Sequence, residues 1–184
     1  MFGAPGAGKG THATLIAEKF NMVHISTGDL LRQEVANGTP LGLRVKEIME
    51  KGDLVGDDIV IRLVDQTLAK TKEGVILDGF PRTVEQAKAL DLLLTLHSRR
   101  LDHVISIEIP RNELIRRIHE RALISNRSDD NEETINHRLE EYETKTKPVL
   151  DYYTESGNLT SIDGSGEISQ TSDRICSVLN KVLD

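Results

Sequence analysis

The stretch best suited to chemistry lies at residues 3–11, with the sequence GAPGAGKGT. Its glycines allow tight turns and let the backbone approach a ligand closely, because no Cβ atom intervenes. Successive backbone N–H groups in such a loop form a nest for phosphate oxygens, and Lys9 adds a mobile positive charge. The spacing Gly3-x4-Gly8-Lys9 therefore predicts a phosphate-binding loop, or P-loop. A glycine-rich turn that binds nothing is the alternative.

A carboxylate is the best candidate for holding a metal ion. The Ser or Thr that usually follows the lysine of this loop is Gly10 here, and a hydroxyl comes one residue later, at Thr11, so direct ligation by that hydroxyl is less strongly predicted. Asp78 ends the apolar run 74–77, which is typical of a buried strand. Ligands bind outside the carboxyl ends of such strands. Asp78 could hold magnesium there, directly or through water.

Cations accompany these groups in a chain of net charge −7. Arg82 follows Asp78 on a Gly-Phe-Pro turn that limits where its guanidinium can go, although an ordinary surface arginine would fit the sequence equally well. The planar guanidinium is suited to phosphate oxygens. The six cations placed near candidate elements are Lys9, Arg32, Arg82, Arg121, Arg127 and Arg138.

Acidic residues offer these arginines other partners. Arg121 and Arg127 could pair with Asp129 and Asp130 in a surface network, which would contribute little to stability. Both interpretations can hold in turn, because acidic partners could hold the loop while phosphates are absent.

Composition narrows the class of protein. With 184 residues, the chain is long enough for one domain with a real core. Its net charge of −7 gives no overall attraction to nucleic acid or to anionic membranes. Cys176 is the one cysteine, which excludes an intramolecular disulfide and favours a reducing compartment, so we expect a cytoplasmic protein. No membrane span, signal peptide or zinc site is predicted.

Hydrophobic periodicity predicts the elements that position these residues. Strand and helix alternate along the chain, which predicts an α/β fold with a parallel sheet covered by helices on both faces. A bend is expected at Pro148. Helices are predicted at about 11–20, from the N-cap residues 26–29 to about 37, through 45 and 49 to 52, and at 57–70, 83–96, 111–121, 132–153 and 168–183, and strands at 23–25, 74–78, 104–109 and 159–162.

Together these motifs resemble the short-lid adenylate kinases of the nucleoside-monophosphate kinase family. The resemblance implies the P-loop fold of that family, a single domain at 1–184 with a five-stranded parallel sheet, and a monomer. It also implies a mobile monophosphate-binding segment at 26–55 and a short lid at 122–132. The stretches that carry it are GAPGAGKGT (3–11), HISTGDLLR (24–32), DGFPRT (78–83) with Gln86, and RSDDNEETI (127–135) with Arg138.

The resemblance implies reversible, Mg²⁺-dependent phosphoryl transfer from ATP to AMP. An AMP phosphate oxygen is already a nucleophile, so positioning and charge stabilisation replace a general base. The residues implied as catalytic are Lys9, Arg82, Arg121, Arg127 and Arg138, with Asp78 holding the metal through water. ATP would be bound by Gly6, Ala7, Gly8, Lys9, Gly10, Thr11, Arg121 and Gly166. AMP would be bound by Thr27, Arg32, Asp53, Leu54, Val55, Gly79, Phe80, Pro81, Arg82, Gln86, Arg127 and Arg138.

Gln86 and Thr27 favour AMP over pyrimidine acceptors, because pyrimidine kinases of this family tend to have Asn and Ala there. Thr83-x-x-Gln86 is also a capping box that could simply begin a helix. A UMP/CMP kinase therefore stays open as the nearest alternative. A switch GTPase is disfavoured, because no Asn-Lys-x-Asp stretch follows the strand at 104–109.

The sequence departs from the family in three places. His12 stands where Gln is usual, and Ala122 and Asn126 stand where the lid usually has glycines. Only Met1 and Phe2 precede the P-loop, so the first strand is expected to be missing. A chain without that strand would be a nucleotide-binding fragment of low stability and little activity, unless the natural chain is longer.

Overall fold

Helices and strands alternate through the chain as the sequence predicts. The computed structural model describes residues 1–125, 127 and 129–183, with the side chains at 132 and 133 left aside. The strands are β1 (Phe2–Gly3), β2 (Val23–Ser26), β3 (Val75–Asp78), β4 (Val104–Glu108) and β5 (Leu159–Asp163). The helices are α1 (Lys9–Phe20), α2 (Thr27–Ala36), α3 (Pro40–Glu50), α4 (Asp57–Leu68), α5 (Val84–Leu96), α6 (Arg111–Ile124), α7 (Glu132–Glu141), α8 (Pro148–Thr154) and α9 (Ile168–Leu183).

All strand pairs in the described residues are parallel, which confirms the α/β fold class. The ladders form two groups, with the orders β1-β4-β5 and β2-β3. Because parallel strands share a direction, their carboxyl ends meet at one edge. The P-loop follows β1 at that edge, and Asp78 ends β3 there.

The first strand is much reduced rather than missing. β1 is a strand of two residues, with Phe2 opposite Ser106 and Gly3 opposite Ile107 on β4. On its other side, the terminal ammonium of Met1 donates a hydrogen bond to Leu77 O of β3 at 2.6 Å. Burial of the Phe2 ring gives this short strand an apolar anchor, since only 4% of the residue is exposed.

Side-chain caps begin the helices that carry candidate ligands. Ser26 Oγ accepts a hydrogen bond from Asp29 N at 3.3 Å and begins α2. Thr83 Oγ1 accepts one from Gln86 N at 3.1 Å and begins α5. Each cap satisfies a backbone N–H that the first helical turn leaves without a partner. Thr27 and Gln86 are thereby fixed at the start of their helices.

The long helix predicted at 132–153 is interrupted before Pro148. α7 passes into a π-helical turn at Tyr142–Thr146, where Lys147 N donates to Tyr142 O at 2.8 Å, and α8 begins at Pro148. Proline has no N–H, and its ring crowds the carbonyl four residues earlier, so a regular α-helix cannot pass through it. Where the sequence predicts a bend at Pro148, the structure has a wider π-helical turn directly before the proline.

Buried apolar side chains hold the helices against both groups of strands. One cluster joins α1, α6, α7 and α9 to β4, and another joins α2–α5 to β2 and β3. A third cluster contains Phe2, Val104 and Tyr153. Among the helices described, none combines the length and the apolar character needed to cross a membrane.

Candidate active site

A cleft of about 880 Å³ opens where the P-loop, the end of β3 and the start of α2 meet. It contains most of the residues that the sequence predicts as ligands. Ala7, Phe80 and Pro81 are exceptions, because these three are buried and do not line the cleft. The predicted residues that line it are Gly6, Gly8, Lys9, Gly10, Thr11, Thr27, Arg32, Asp53, Leu54, Val55, Asp78, Gly79, Arg82, Gln86, Arg121, Arg127, Arg138 and Gly166.

The P-loop conformation depends on glycine. Gly6 and Gly8 have φ angles of 87° and 86°, a left-handed region that L side chains rarely adopt. A Cβ atom on Gly6 would also lie 2.8 Å from the carbonyl oxygen of Leu114. Gly8 is the N-cap of α1, so the loop delivers the helix N-terminus to the cleft. Free N–H groups at such a terminus suit phosphate oxygens.

Lys9 is held by the backbone that precedes it. Its Nζ donates to Gly3 O at 2.8 Å and to Ala4 O at 3.2 Å. The pKa of Lys9 is lowered to about 8, chiefly by burial, with Asp78 opposing the shift and the charges of Arg82 and Arg138 contributing to it. An anionic ligand would therefore relieve an unfavourable environment of this ammonium group.

Asp78 is a buried carboxylate that remains ionised. Burial by itself raises its pKa, but a 3.3 Å hydrogen bond with His24 Nε2 and the charge of Lys9 outweigh burial and lower the pKa to about 2. The Thr11 side chain is exposed in the cleft. A charged oxygen ligand beside the P-loop fits the predicted metal position, and no metal cluster of three or more His, Cys, Asp or Glu side chains exists among the residues described.

Arg121 and Arg138 share a buried acidic partner. Arg121 makes a two-pronged ion pair with Asp130, with both N–O distances 2.6 Å. Arg138 Nη1 reaches the same carboxylate at 2.6 Å and Asp129 Oδ2 at 3.0 Å. The Asp130 side chain is fully buried, so the pairing is not the surface network that the sequence suggested. Removing one partner of a desolvated ion pair with this geometry strongly lowers stability, because the remaining charge stays buried without its partner.

Arg127 has an ion-pair partner other than Asp129 and Asp130, the partners that the sequence suggested. It lies 3.5 Å from Asp29 on α2, and Arg32 donates to the same carboxylate at 2.6 Å. The segment between α6 and α7 therefore touches the opposite wall of the cleft. Lys9 and Arg82 differ from these arginines, because no carboxylate of the described residues lies within 4.0 Å of either cation.

Gln86 already uses both ends of its amide. Its Oε1 accepts a hydrogen bond from Arg82 N at 2.7 Å, and its Nε2 donates to Asp57 Oδ1 at 2.8 Å. Half of the predicted capping box is formed, since Thr83 Oγ1 accepts from Gln86 N, while the Gln86 side chain bonds Arg82 N, one residue before the cap. Thr27 is almost fully buried and donates to Gly79 O at 2.8 Å. Arg82 Nε donates to the same carbonyl at 2.9 Å, which fixes the guanidinium at the cleft wall.

Comparison with known proteins decides the family. The sequence model described as Adenylate kinase matches residues 1–158. The chain belongs to the adenylate kinase family. It is 51% identical over 179 residues to an adenylate kinase of Thermus thermophilus, covering 97% of this chain and 95% of that protein. Identity is 49% over 177 residues with one of Leptospira biflexa (95% and 95% covered) and 42% over 209 residues with one of Methanothrix thermoacetophila (98% and 97%).

The resemblance predicted from the motifs is thereby confirmed, and the chain's departures from other adenylate kinases have structural explanations. His12 is 2% exposed, and its Nδ1 lies 2.9 Å from Ser172 Oγ, so it joins α1 to α9 at the wall of the cleft. α6 continues to Ile124, three residues beyond its predicted end, and contains Ala122. Asn126 lies outside the described residues.

Sequence analysis missed several residues that shape this adenylate kinase cleft. Asp29 holds two cleft arginines, and its place in the quoted stretch 24–32 was a signal for it. Arg117 also lines the cleft, and the four-residue spacing to Arg121 puts both on one helix face. Asp57, the partner of Gln86, lies 29 positions away, so no local pattern could indicate the contact.

Proposed function

We propose that the described cleft carries out the reaction of this adenylate kinase as follows: ATP and AMP bind on opposite sides, and a phosphoryl group passes reversibly between them to give two ADP. The observation that carries the proposal is the meeting of the P-loop with Lys9 and Arg82 in one cleft. Neither cation has a carboxylate partner within 4.0 Å among the described residues, so both are available to phosphates.

The ATP side would be formed by the P-loop and the start of α1. Backbone N–H groups of Gly6–Thr11 would bind the phosphates, and Lys9 would move from its two carbonyl acceptors to phosphate oxygens. Arg121 lines this side and would exchange Asp130 for phosphate. Gly166, with a φ of 109° just before α9, would present its backbone to the adenine ring.

The AMP side would be formed by α2, the segment 53–55 and the turn after β3. Arg32 and Arg82 would bind the monophosphate, and Thr27 and the backbone of residues 79–81 would border the nucleoside. Gln86 would pair with the adenine edge only after releasing Asp57 or Arg82 N, since both ends of its amide are engaged. Discrimination against pyrimidines would then include the cost of exchanging those contacts.

The transfer itself needs alignment and charge stabilisation more than covalent help. Two polyanions must approach in line, and fixed cations reduce their repulsion. Lys9, Arg82 and Arg138 line the same cleft and would act between the two sides, while Arg121 would contribute from α6 and Arg127 from the lid segment. Excluding water from the closed cleft favours transfer to AMP over hydrolysis.

Mg²⁺ fits the residues present at Asp78. Magnesium typically takes one or two carboxylates together with substrate phosphates and water, and Asp78 is an ionised carboxylate beside the P-loop. Asp78 would hold the ion through water, and the bound ion would supply neutralisation of phosphate charge.

The decisive experiment is an assay of ADP formation from ATP with AMP, CMP and UMP tested in parallel. We expect activity that needs Mg²⁺ and is highest with AMP. Comparable kcat/KM with CMP or UMP would contradict the proposed role of Gln86.

We also propose that the enzyme is monomeric and cytoplasmic. Light scattering at several concentrations would test the monomer, and localisation of the tagged chain would test the compartment.

A further inference from the structure

His12 lies in the wall of the cleft, on the first turn of α1 and against α9. It lines the cleft although only 2% of the residue is exposed. Buried polar atoms of native proteins almost always have hydrogen-bond partners, and an imidazole has two nitrogen atoms that need them. The surroundings of the two ring nitrogens therefore indicate what this histidine can bind.

The Nδ1 atom of His12 faces α9, where it lies 2.9 Å from Ser172 Oγ. Hydroxyl groups of helical serines can donate to the carbonyl four residues earlier, as Ser177 does to Asp173 O at 2.8 Å. Among the described residues, Ser172 Oγ makes no such bond to the backbone, and His12 Nδ1 is its hydrogen-bond partner. The proton of the Ser172 hydroxyl is therefore free to be donated to Nδ1.

This contact selects the tautomer of the ring. Burial lowers the pKa of His12, and the nearby charge of Arg117 on α6 lowers it as well, so the imidazole is neutral near pH 7 and has one N–H. A neutral imidazole whose Nδ1 accepts a hydrogen bond has its proton on Nε2. His12 therefore has an N–H donor at Nε2.

The Nε2 donor lies against the P-loop. A Cβ atom added to Gly8 would lie 3.4 Å from both Cδ2 and Nε2 of His12, so this edge of the ring packs on the glycine. Gly8 lines the cleft and is the N-cap of α1, where free N–H groups suit phosphate oxygens. In the part of the chain that the structure describes, Nδ1 has a hydrogen-bond partner and Nε2 has none. The unpaired donor is therefore beside the place where phosphates would bind.

Arg117 favours a negatively charged acceptor for this donor. Its Nε donates to Glu113 at 2.8 Å and its Nη2 donates to Gly164 O at 3.2 Å, which holds the guanidinium at the cleft wall. Its positive charge is near enough to His12 to lower the pKa of the ring. An anionic oxygen near both groups would accept a hydrogen bond from Nε2 and be attracted by the guanidinium.

We propose that His12 is a further ATP-binding residue of this enzyme: its Nε2–H donates a hydrogen bond to a phosphate oxygen of ATP held at Gly8. Ser172 is a positioning residue that acts through His12, because its hydroxyl keeps the ring in the tautomer that has the donor at Nε2. This inference rests on the proposed function, since it takes the P-loop to be the site of the ATP phosphates. AMP on the other side of the cleft would contact neither side chain.

The test compares two amides that each replace one ring nitrogen. His12→Gln places an amide N–H near the position of Nε2, whereas His12→Asn places one near Nδ1 and leaves the position of Nε2 empty. We expect His12→Asn to weaken binding of a non-reactive ATP analogue by about 10- to 100-fold, the usual cost of losing a hydrogen bond to a charged group. His12→Gln should recover most of that loss. His119→Asn, exposed on α6 outside the cleft, is the matched control.

Titration calorimetry would measure the affinity for the ATP analogue and, separately, for AMP, which we expect to stay unchanged in both His12 variants. Nitrogen NMR of the histidine rings supplies a readout that does not depend on activity, with the His12 signal assigned by its absence in His12→Asn. The free enzyme should have the His12 proton on Nε2, and the Nε2–H signal should shift when the analogue binds. Ser172→Ala should produce a mixture of both tautomers.

A ring protonated at Nδ1 in the free enzyme would overturn the proposal. Equal losses of analogue affinity in the Gln and Asn variants, or an equal loss of AMP affinity, would overturn it too, because a structural role alone would produce them. ADP formation by the unaltered enzyme tests the proposed reaction separately. Analogue binding with the expected His12 effects but without ADP formation would contradict the reaction and leave this contact intact, whereas normal ADP formation with unchanged analogue affinity in His12→Asn would overturn the contact alone.

Discussion

Arg82 is the cation whose loss should lower turnover most with the least effect on folding. Its guanidinium is fixed by Gly79 O, and no carboxylate among the described residues pairs with it within 4.0 Å. We expect Arg82→Ala to lower kcat by about 10²–10³, the usual cost of losing one charge-stabilising group. Steady-state kinetics and thermal unfolding would be measured together. Arg62→Ala, an exposed arginine outside the cleft, is the control.

The outcome for Arg82 separates two roles. Turnover near the normal value, with Tm unchanged, would show that this arginine serves neither the transfer nor the fold. A large fall in Tm would instead assign it a structural role, contrary to the contacts described.

Lys9 makes nucleotide binding depend on pH. Its pKa is about 8 in the empty cleft because burial disfavours the charge, and phosphate oxygens would raise it. Above pH 8 the empty enzyme has partly lost this proton and must take it up on binding, so ATP affinity should fall as pH rises. At pH 8.5 we expect uptake of roughly three quarters of a proton.

Calorimetry of ATP binding in buffers of different ionisation enthalpy measures that proton directly. Lys9→Arg is the matched variant, because arginine keeps its proton at any accessible pH. It should bind with little proton uptake, and equal uptake in both proteins would assign the proton to another group.

Gln86 illustrates how far a single residue could be predicted. Its capping role followed from Thr83 three positions earlier, and the structure contains that hydrogen bond. Its contact with Asp57 could not be predicted, because it depends on how α4 packs against α5. The sequence likewise gave no sign that the amide would be fully engaged before AMP binds.

At the scale of elements, the segment between α6 and α7 is tied down by Asp130. We expect Asp130→Asn to lower the free energy of unfolding by about 3 kcal/mol, the lower end for breaking a buried ion pair, since both guanidinium groups stay partly exposed. The same change should tighten binding of a non-reactive ATP analogue by about tenfold, because Arg121 would no longer be held by a carboxylate and Arg138 would keep only Asp129.

Chemical denaturation and calorimetric titration would measure the two effects of Asp130→Asn. Asp151→Asn removes the same formal charge from the exposed surface of α8 and should change neither quantity. Analogue binding that stays equal or weakens would mean that Asp130 orients the arginines for phosphate rather than competing with it.

Element boundaries followed from the sequence wherever a local signal existed. Ser26 and Thr83 mark helix starts, and Pro148 marks the break after α7. The π-helical form of that break was not predictable, because it depends on how the flanking helices pack. The suggested pairing of Arg121 with an aspartate of 129–130 is present, whereas Arg127 is paired with Asp29 and Arg138 takes the second place beside Asp129 and Asp130.

At the scale of the whole molecule, the first residues contact both groups of strands: β1 pairs with β4, and the Met1 ammonium donates to Leu77 O of β3. We expect Phe2→Ala to lower Tm by roughly 6–20 °C, from the usual cost of truncating a core phenylalanine in a domain of this size. Because β1 borders β3 as well as β4, hydrogen exchange should speed up in both groups. Loss of protection in β4 and β5 alone would show that β1 does not couple them.

The matched control is Phe20→Ala, at a half-buried position at the end of α1. This variant should lower Tm less than Phe2→Ala and should leave hydrogen exchange in β2 and β3 slow.

The fold class was predictable because alternation of strand and helix is a property of the whole chain. The division of the strands into two hydrogen-bonded groups could not be predicted, since it depends on the two residues of β1.

The ion pair between Arg127 and Asp29 holds the segment between α6 and α7 across the cleft only weakly. The two side chains are 3.5 Å apart and remain 29% and 57% exposed. Such a pair contributes about 0–1 kcal/mol, which is at most about a fivefold preference between two arrangements. This contact alone therefore favours the bridged form only weakly, and a phosphate that draws Arg127 away from Asp29 needs only a small difference in affinity to offset it.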